Sequence, residues 1–123
     1  VKKSTLENLS VAELLERFAT IAVEEDKATF EDDNARYNRL FLELEAVENE
    51  LKRRPGDQRR ELLSLFDHPN IQVRLMAAKA TLAVAPEAAR KMLQAIEGWR
   101  RQPYAGDAGM CLVMLDRGIF VPK

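Results

Sequence analysis

The chain has a single cysteine and a single histidine in 123 residues. One cysteine excludes an internal disulfide and fits a reducing compartment. Charge of one sign is missing as well: 19 Lys and Arg stand against 20 Asp and Glu, leaving a formal net charge of −1. No global basic field exists of the kind that nucleic-acid binding draws on. No apolar run approaches the roughly 18 residues that would suggest a membrane span, and residues 1–10 lack an apolar signal core. These absences point to a cytoplasmic protein without a membrane partner. With only five Gly and five Pro, and with no low-complexity tract or domain-length linker, residues 1–123 read as one domain. At 46% hydrophobic, the chain can supply a single core.

What the sequence does carry is helical periodicity. At about 100° per residue from Ile71, the residues Ile71, Leu75, Ala78 and Leu82 fall in one narrow sector. Val73, Met76, Ala77, Ala80, Ala83 and Val84 cover the opposite side, with polar lines of Gln72 and Lys79 on one flank and Arg74 and Thr81 on the other. An ordinary surface helix has one apolar stripe and one broad polar face. The two-sided pattern predicts a helix stacked between neighbours, its alanines letting other backbones come close. Pro86 suits the first position of the next helix, whose apolar face is Ala88, Ala89, Met92, Ala95, Ile96 and Trp99. Its polar face is Glu87, Arg90, Lys91, Gln94 and Glu97. A doubly buried helix followed by a singly buried one is the pattern of stacked antiparallel pairs.

The same reading extends along the chain to about six helices, an all-α fold. Ser10 and Glu13 have capping-box spacing, followed by an apolar face of Val11, Leu14, Leu15, Phe18, Ile21 and Ala22. Residues 26–34 are acidic and polar and read as an irregular connection. A long helix from Ala35 to Arg53 is ended by Pro55 and Gly56. A short helix spans Gln58 to Phe66 with Asp57 as cap, and the last runs from near Asp107 to Gly118. A left-handed Gly118 would bring Ile119 to Met114. The first and last pairs should cap the stack.

The unit from about 58 to 100 resembles a HEAT-type helical repeat, through Leu62-Leu63, Asp67-His68-Pro69-Asn70, Val73-Arg74, Ala77-Ala78 and Leu82. The longer string from Asp57 through Pro86, with Gly106-Asp107-Ala108-Gly109-Met110-Cys111, resembles a small bacterial family of unknown function. That resemblance implies a short α-α superhelix of HEAT/armadillo type and brings no established activity.

Each residue type that could carry chemistry has a plainer explanation. His68 could serve as a general base, but it sits in a break before Pro69 without an acid or nucleophile at motif spacing. Cys111 lies in an apolar helix, where cysteine packs as a small hydrophobe. The acids Glu24, Glu25, Asp26, Glu31, Asp32 and Asp33 lack the alternating ligands and central glycine of a calcium loop, and Asp33 is a candidate helix cap. The run Lys52-Arg53-Arg54-Pro55-Gly56-Asp57-Gln58-Arg59-Arg60 could contact phosphates, yet no aromatic interleaves it and cations suit a helix C-terminus. Tyr37, Leu40, Leu44, Val47 and Leu51 could form a coiled-coil seam or, as better fits about two heptads, a core stripe. Gly106-Asp107-Ala108-Gly109 lacks the ending of a phosphate loop and reads as a close helix crossing capped by Asp107.

No catalytic residue, metal ligand or cofactor is therefore expected. The leading function is a non-catalytic module binding a protein or peptide, in the manner of an adaptor or an inhibitor of immunity type, as a monomer or weak homodimer. Its expected contact residues are Glu87, Arg90, Lys91, Gln94 and Glu97, with Arg53, Arg54 and Arg59. Two alternatives stay open: a nucleic-acid-binding helical repeat using residues 52–60, and an enzyme combining His68 with an acid that folding brings near.

Overall fold

The structure, a computed structural model, describes residues 3–123; Val1 and Lys2 of the amino-terminal stretch lie outside the described residues. Among the described residues the chain is helical without a strand. A short α1 (Lys3–Leu6) precedes two long helices, α2 (Val11–Phe30) and α3 (Asn34–Arg53). A 3₁₀ segment (Gln58–Asp67) leads to α4 (Ile71–Thr81), α5 (Pro86–Gly98) and α6 (Tyr104–Asp116).

The start of α2 is the expected capping box: the Glu13 N–H donates to the Ser10 hydroxyl at 3.1 Å and the Ser10 N–H to the Glu13 carboxylate at 2.9 Å. Its end is not where composition put it. Residues 26–30 are helical, because Glu25 and Ala28 continue the buried stripe of Leu14, Phe18, Ile21 and Ala22 into the core. The helix stops at Asp32, which takes the left-handed conformation (φ 53°) in place of a glycine. The Asp33 N–H then closes on the Ala28 carbonyl at 2.9 Å. Asp33 caps the next helix at once, accepting the Arg36 N–H at 3.1 Å. In α3, Leu40, Leu44, Val47 and Leu51 are buried within the monomer, so the candidate seam is core.

The short helix after Asp57 forms as 3₁₀, with the Asp57 carboxylate accepting the Arg59 N–H at 3.3 Å. Helix α4 is enclosed on both flanks: Leu75 keeps 1% of its surface and Ala80 3%. It packs against α2, the 3₁₀ segment, α5 and α6. Two of its expected surface positions are buried as well. Gln72 turns inward to Glu25, and the Thr81 hydroxyl donates back to the Ala77 and Ala78 carbonyls at 2.9 and 3.2 Å. Pro86 opens α5, which buries Ala89, Leu93 and Ile96. The expected face is displaced by one column: Leu93 replaces Ala88, and Trp99 stays 44% exposed beneath the Arg74 guanidinium, 5.3 Å from the ring centre.

Helix α6 begins a turn earlier than expected, so Asp107 lies inside its first turn and does not cap it. At the far end Gly118 is left-handed (φ 69°) and the Ile119 N–H donates to the Met114 carbonyl at 3.0 Å, although the Ile119 side chain is exposed. Successive elements run antiparallel. Arg54, after α3, donates to the Leu6 carbonyl ahead of α2 at 3.0 Å; Arg60 reaches the Val84 carbonyl at 2.8 Å; Arg90 pairs with Asp116 at 2.9 Å.

Candidate functional site

One stripe of α4, Gln72, Leu75, Met76 and Lys79, lies at helical spacing of three and four and floors a cleft. A matching stripe of α3, Tyr37, Phe41, Leu44, Glu45 and Glu48, makes one wall. The start of α6 supplies the other, with Pro103, Tyr104 and Asp107, while Thr29 of α2 closes one end. The space divides into hollows of about 220 and 140 Å³ that share Tyr37. Both are smaller than the roughly 300–1,000 Å³ of a typical small-molecule site, and suit a side chain better than a cofactor.

Polar groups converge on this cleft from elements far apart in sequence. Tyr104 donates its hydroxyl to Asp26, which also accepts from the Asn70 amide at 3.3 Å. Lys79 pairs with Asp107. The Gln72 amide, which lines the larger hollow, donates at 3.3 Å to one oxygen of Glu25. Glu25 itself has no exposed surface, and its other oxygen, Oε2, is the one buried side-chain nitrogen or oxygen among the described residues without a hydrogen-bond partner.

Burial pushes the Glu25 carboxyl up to about 7; the Gln72 bond and Lys79 oppose the shift, and Asp107 adds to it. Tyr37 is raised by burial and then by the charges of Glu25 and Asp107. Tyr104 is pushed up to about 12 by burial and by its bond to Asp26. Glu48 is raised by burial, with Glu45 contributing and Arg59 and Lys52 opposing. Among the lining residues Glu45, Glu48 and Asp107 face a single base, Lys79, already bound to Asp107. The cleft is acidic and partly aromatic.

The residues expected to bind a partner lie elsewhere. Arg53 and Arg54 both hold the buried Glu50, with Arg54 also reaching the Leu6 carbonyl. Arg59 is buried, bound bidentately to Asp57 at 2.9 and 2.7 Å and to the Lys123 carbonyl at 3.4 Å. Of these arginines, expected to contact phosphates or a partner, Arg54 and Arg59 are engaged in internal bonds, while Arg53 also keeps an exposed side chain. On α5, Glu87, Lys91, Gln94 and Glu97 are exposed and Arg90 is tied to Asp116. Neither group borders the cleft.

His68 is a cap residue in its break: its Nδ1 accepts the Asn70 N–H at 3.0 Å, and its carbonyl accepts from Arg74. Asn70 in turn caps α4 through the Gln72 and Val73 N–H groups. Burial raises the Cys111 thiol, away from a reactive thiolate. No group of three or more His, Cys, Asp or Glu among the described residues could hold a metal ion. Of the acidic stretch, Glu24 pairs with Arg36 and Lys27, and Asp33 is a cap. A side chain added at Gly109 would meet the Glu97 carboxylate at 2.5 Å, and one at Gly106 the Gln102 amide oxygen at 2.9 Å. These glycines make room for side chains and not for a close backbone crossing.

Glu25 is the residue that composition hid. Counted among the clustered acids from Glu24 to Asp33, it nonetheless stands four residues after Ile21, three after Ala22 and three before Ala28. A carboxylate on the apolar column of a helix is the signal that could have found it.

A family profile described as "Domain of unknown function (DUF2019)" matches residues 12–116. No protein of curated function matches the chain. The crystal structure of the protein RPA1889 from Rhodopseudomonas palustris CGA009 is similar to it, with 52% identity across 96% of this chain and 98% of that one and a TM-score of 0.94.

Proposed function

This chain belongs to the DUF2019 family, a domain of unknown function, and we propose that it is a non-catalytic binding module whose cleft between α3, α4 and α6 takes a segment of a protein partner. The observation that carries this reading is the mouth of the cleft. Phe41 stands 49% exposed there beside the half-buried Tyr37, above hollows of side-chain size. Aromatic rings at the edge of a preformed hollow are the usual anchors of protein interfaces. The walls are single stripes of packed helices, so they meet a partner with little ordering cost.

The placement of His68 as a cap residue and of Cys111 as a raised, partly buried thiol supports a non-catalytic role. The internal bonds of Arg54 and Arg59 weigh against nucleic acid. We read the paired helices as a short superhelix of HEAT/armadillo type, on the strength of an enclosed α4 followed by a singly buried α5. An adaptor and an inhibitor of immunity type both use such a surface, and a cytoplasmic monomer or weak homodimer fits the lone cysteine. Among the described residues no helix is long and apolar enough to cross a membrane.

Photo-crosslinking in the source cell tests the docking surface. A benzophenone amino acid replacing Phe41 should give a discrete protein adduct, and the same group replacing Lys91 on α5 should not. Adducts from position 91 alone would move the partner to the face of α5. Adducts from neither would remove the binding reading.

A further inference from the structure

Resting on the cleft as the docking surface, we infer that its occupant is a basic segment, one arginine or lysine of which inserts between Tyr37 and Tyr104 to meet the unpartnered oxygen of Glu25. Native proteins leave very few buried polar atoms without a partner, and each one calls for an explanation such as a water, an ion or a functional role. Here the orphaned oxygen belongs to a fully buried side chain whose other oxygen is held by Gln72 of the cleft and whose charge is felt by Tyr37, Lys79 and Asp107 on its walls. Once ionised, Oε2 is an acceptor in need of a donor, which disfavours an anionic occupant and calls for an N–H or O–H group.

The surroundings sharpen the choice to a cation. Glu45 and Glu48 on the α3 wall, with Asp107 opposite, outnumber the one lining lysine, which is tied to Asp107; Arg59 and Lys52 act on Glu48 from outside the cleft. The half-buried ring of Tyr37, shared by both hollows, suits a cationic group entering past it. The larger hollow, at about 220 Å³, has room for one long side chain. Glu25 has no exposed surface and lines neither hollow, so the incoming group reaches it by displacing the Gln72 amide, which lines the larger hollow and holds the other oxygen. The wider depressions elsewhere, beside Arg60 and Val84 or beside Met110 and Val113, hold no buried group that lacks a partner.

Protons balance simply: the native carboxyl is largely protonated below about pH 7, and pairing with a cation ionises it, so binding releases a proton. The probes are capped nonapeptides with a central arginine in an alanine and leucine background, and their lysine, citrulline and glutamate counterparts. Isotope-labelled protein should show saturable amide shifts at Thr29, Tyr37, Gln72 and Asp107 with the arginine and lysine peptides, at millimolar concentration. Citrulline, which keeps the shape and loses the charge, should bind about tenfold or more weakly, and glutamate not at all. Calorimetry near pH 6, in two buffers of different ionisation enthalpy, should report proton release that Glu25→Gln abolishes. Glu45→Gln, an exposed rim change, should weaken binding while retaining the release.

Equal binding of citrulline and arginine, or proton release unaltered in Glu25→Gln, overturns the inference, as does silence at the cleft with every probe. Crosslinks from Phe41 together with a silent arginine probe would sink the cationic occupant alone and leave the docking surface standing.

Discussion

Replacing Glu25 by Gln removes one ionisation from the core and little else. The carboxyl is raised from 4.5 to about 7 by burial, against the pull of Gln72 and Lys79. A native carboxyl whose pKa exceeds its unfolded value keeps its proton where the unfolded chain has lost it. The native state then binds more protons than the unfolded one, and stability falls as pH rises from about 4.5 to about 7. Below that window both states are protonated and the penalty vanishes. A displacement of roughly 2.5 units at about 1.4 kcal/mol each is worth on the order of 3 kcal/mol above pH 7. For a domain of this size that is a shift in Tm on the order of 10 °C. Thermal unfolding followed by far-UV circular dichroism, across pH 4 to 8, measures it. Glu50 and Asp57, held down by Arg53 and Arg59 respectively, and Glu48, raised by burial, also bend the absolute curves. The difference between wild type and Glu25→Gln isolates Glu25. That difference should be small near pH 4 and favour the variant by several degrees at pH 8. Parallel curves, with an offset independent of pH, would refute a buried titrating carboxyl at this position.

Two further substitutions probe the frame around the cleft. Leu75→Ala, in the helix enclosed on both flanks, should cost about 2–5 kcal/mol in urea unfolding through lost burial and a residual cavity; a loss under about 1 kcal/mol would mean that α4 is not sandwiched. Gly109→Ala sits inside α6, and its new methyl crowds only the carboxylate end of the exposed Glu97. If that side chain swings away, the exchange should stabilise by about 0.5–1 kcal/mol through helix propensity, and a destabilised variant would show that Glu97 is fixed.

The fold was legible where the physics is local and periodic. The two apolar sectors of α4 translate directly into enclosure by four neighbouring elements. Ser10 with Glu13, Asp33, Pro86 and Gly118 mark helix ends by chemistry that needs no tertiary context. What misled were positions where tertiary packing overrides composition. Gln72 and Thr81 looked like surface residues because their side chains are polar, yet each finds an internal acceptor and is buried. Arg54 and Arg59 looked like a free basic patch, because nothing local shows that Glu50 will be buried beside one and Asp57 fold back onto the other. Net charge, being a sum, also says nothing of a cleft in which Glu45, Glu48 and Asp107 converge from α3 and α6.

The end of α2 and the position of the cleft have one physical cause. Reading residues 26–34 as a solvated acidic connection ends α2 too soon, and Asp26 and Thr29 then have no fixed place. Once the helix runs on to Phe30, Glu25 and Ala28 fall on the buried column of Phe18, Ile21 and Ala22. Asp26, one residue along, reaches Tyr104 and Asn70, and Thr29, one turn along, closes the hollow. The cost of placing a carboxylate on that column, with one oxygen unpartnered, is borne by a fold whose other buried polar side chains are satisfied. A leucine there would extend the core without that cost, and the inferred cationic occupant, by donating to the ionised carboxylate, would offset it.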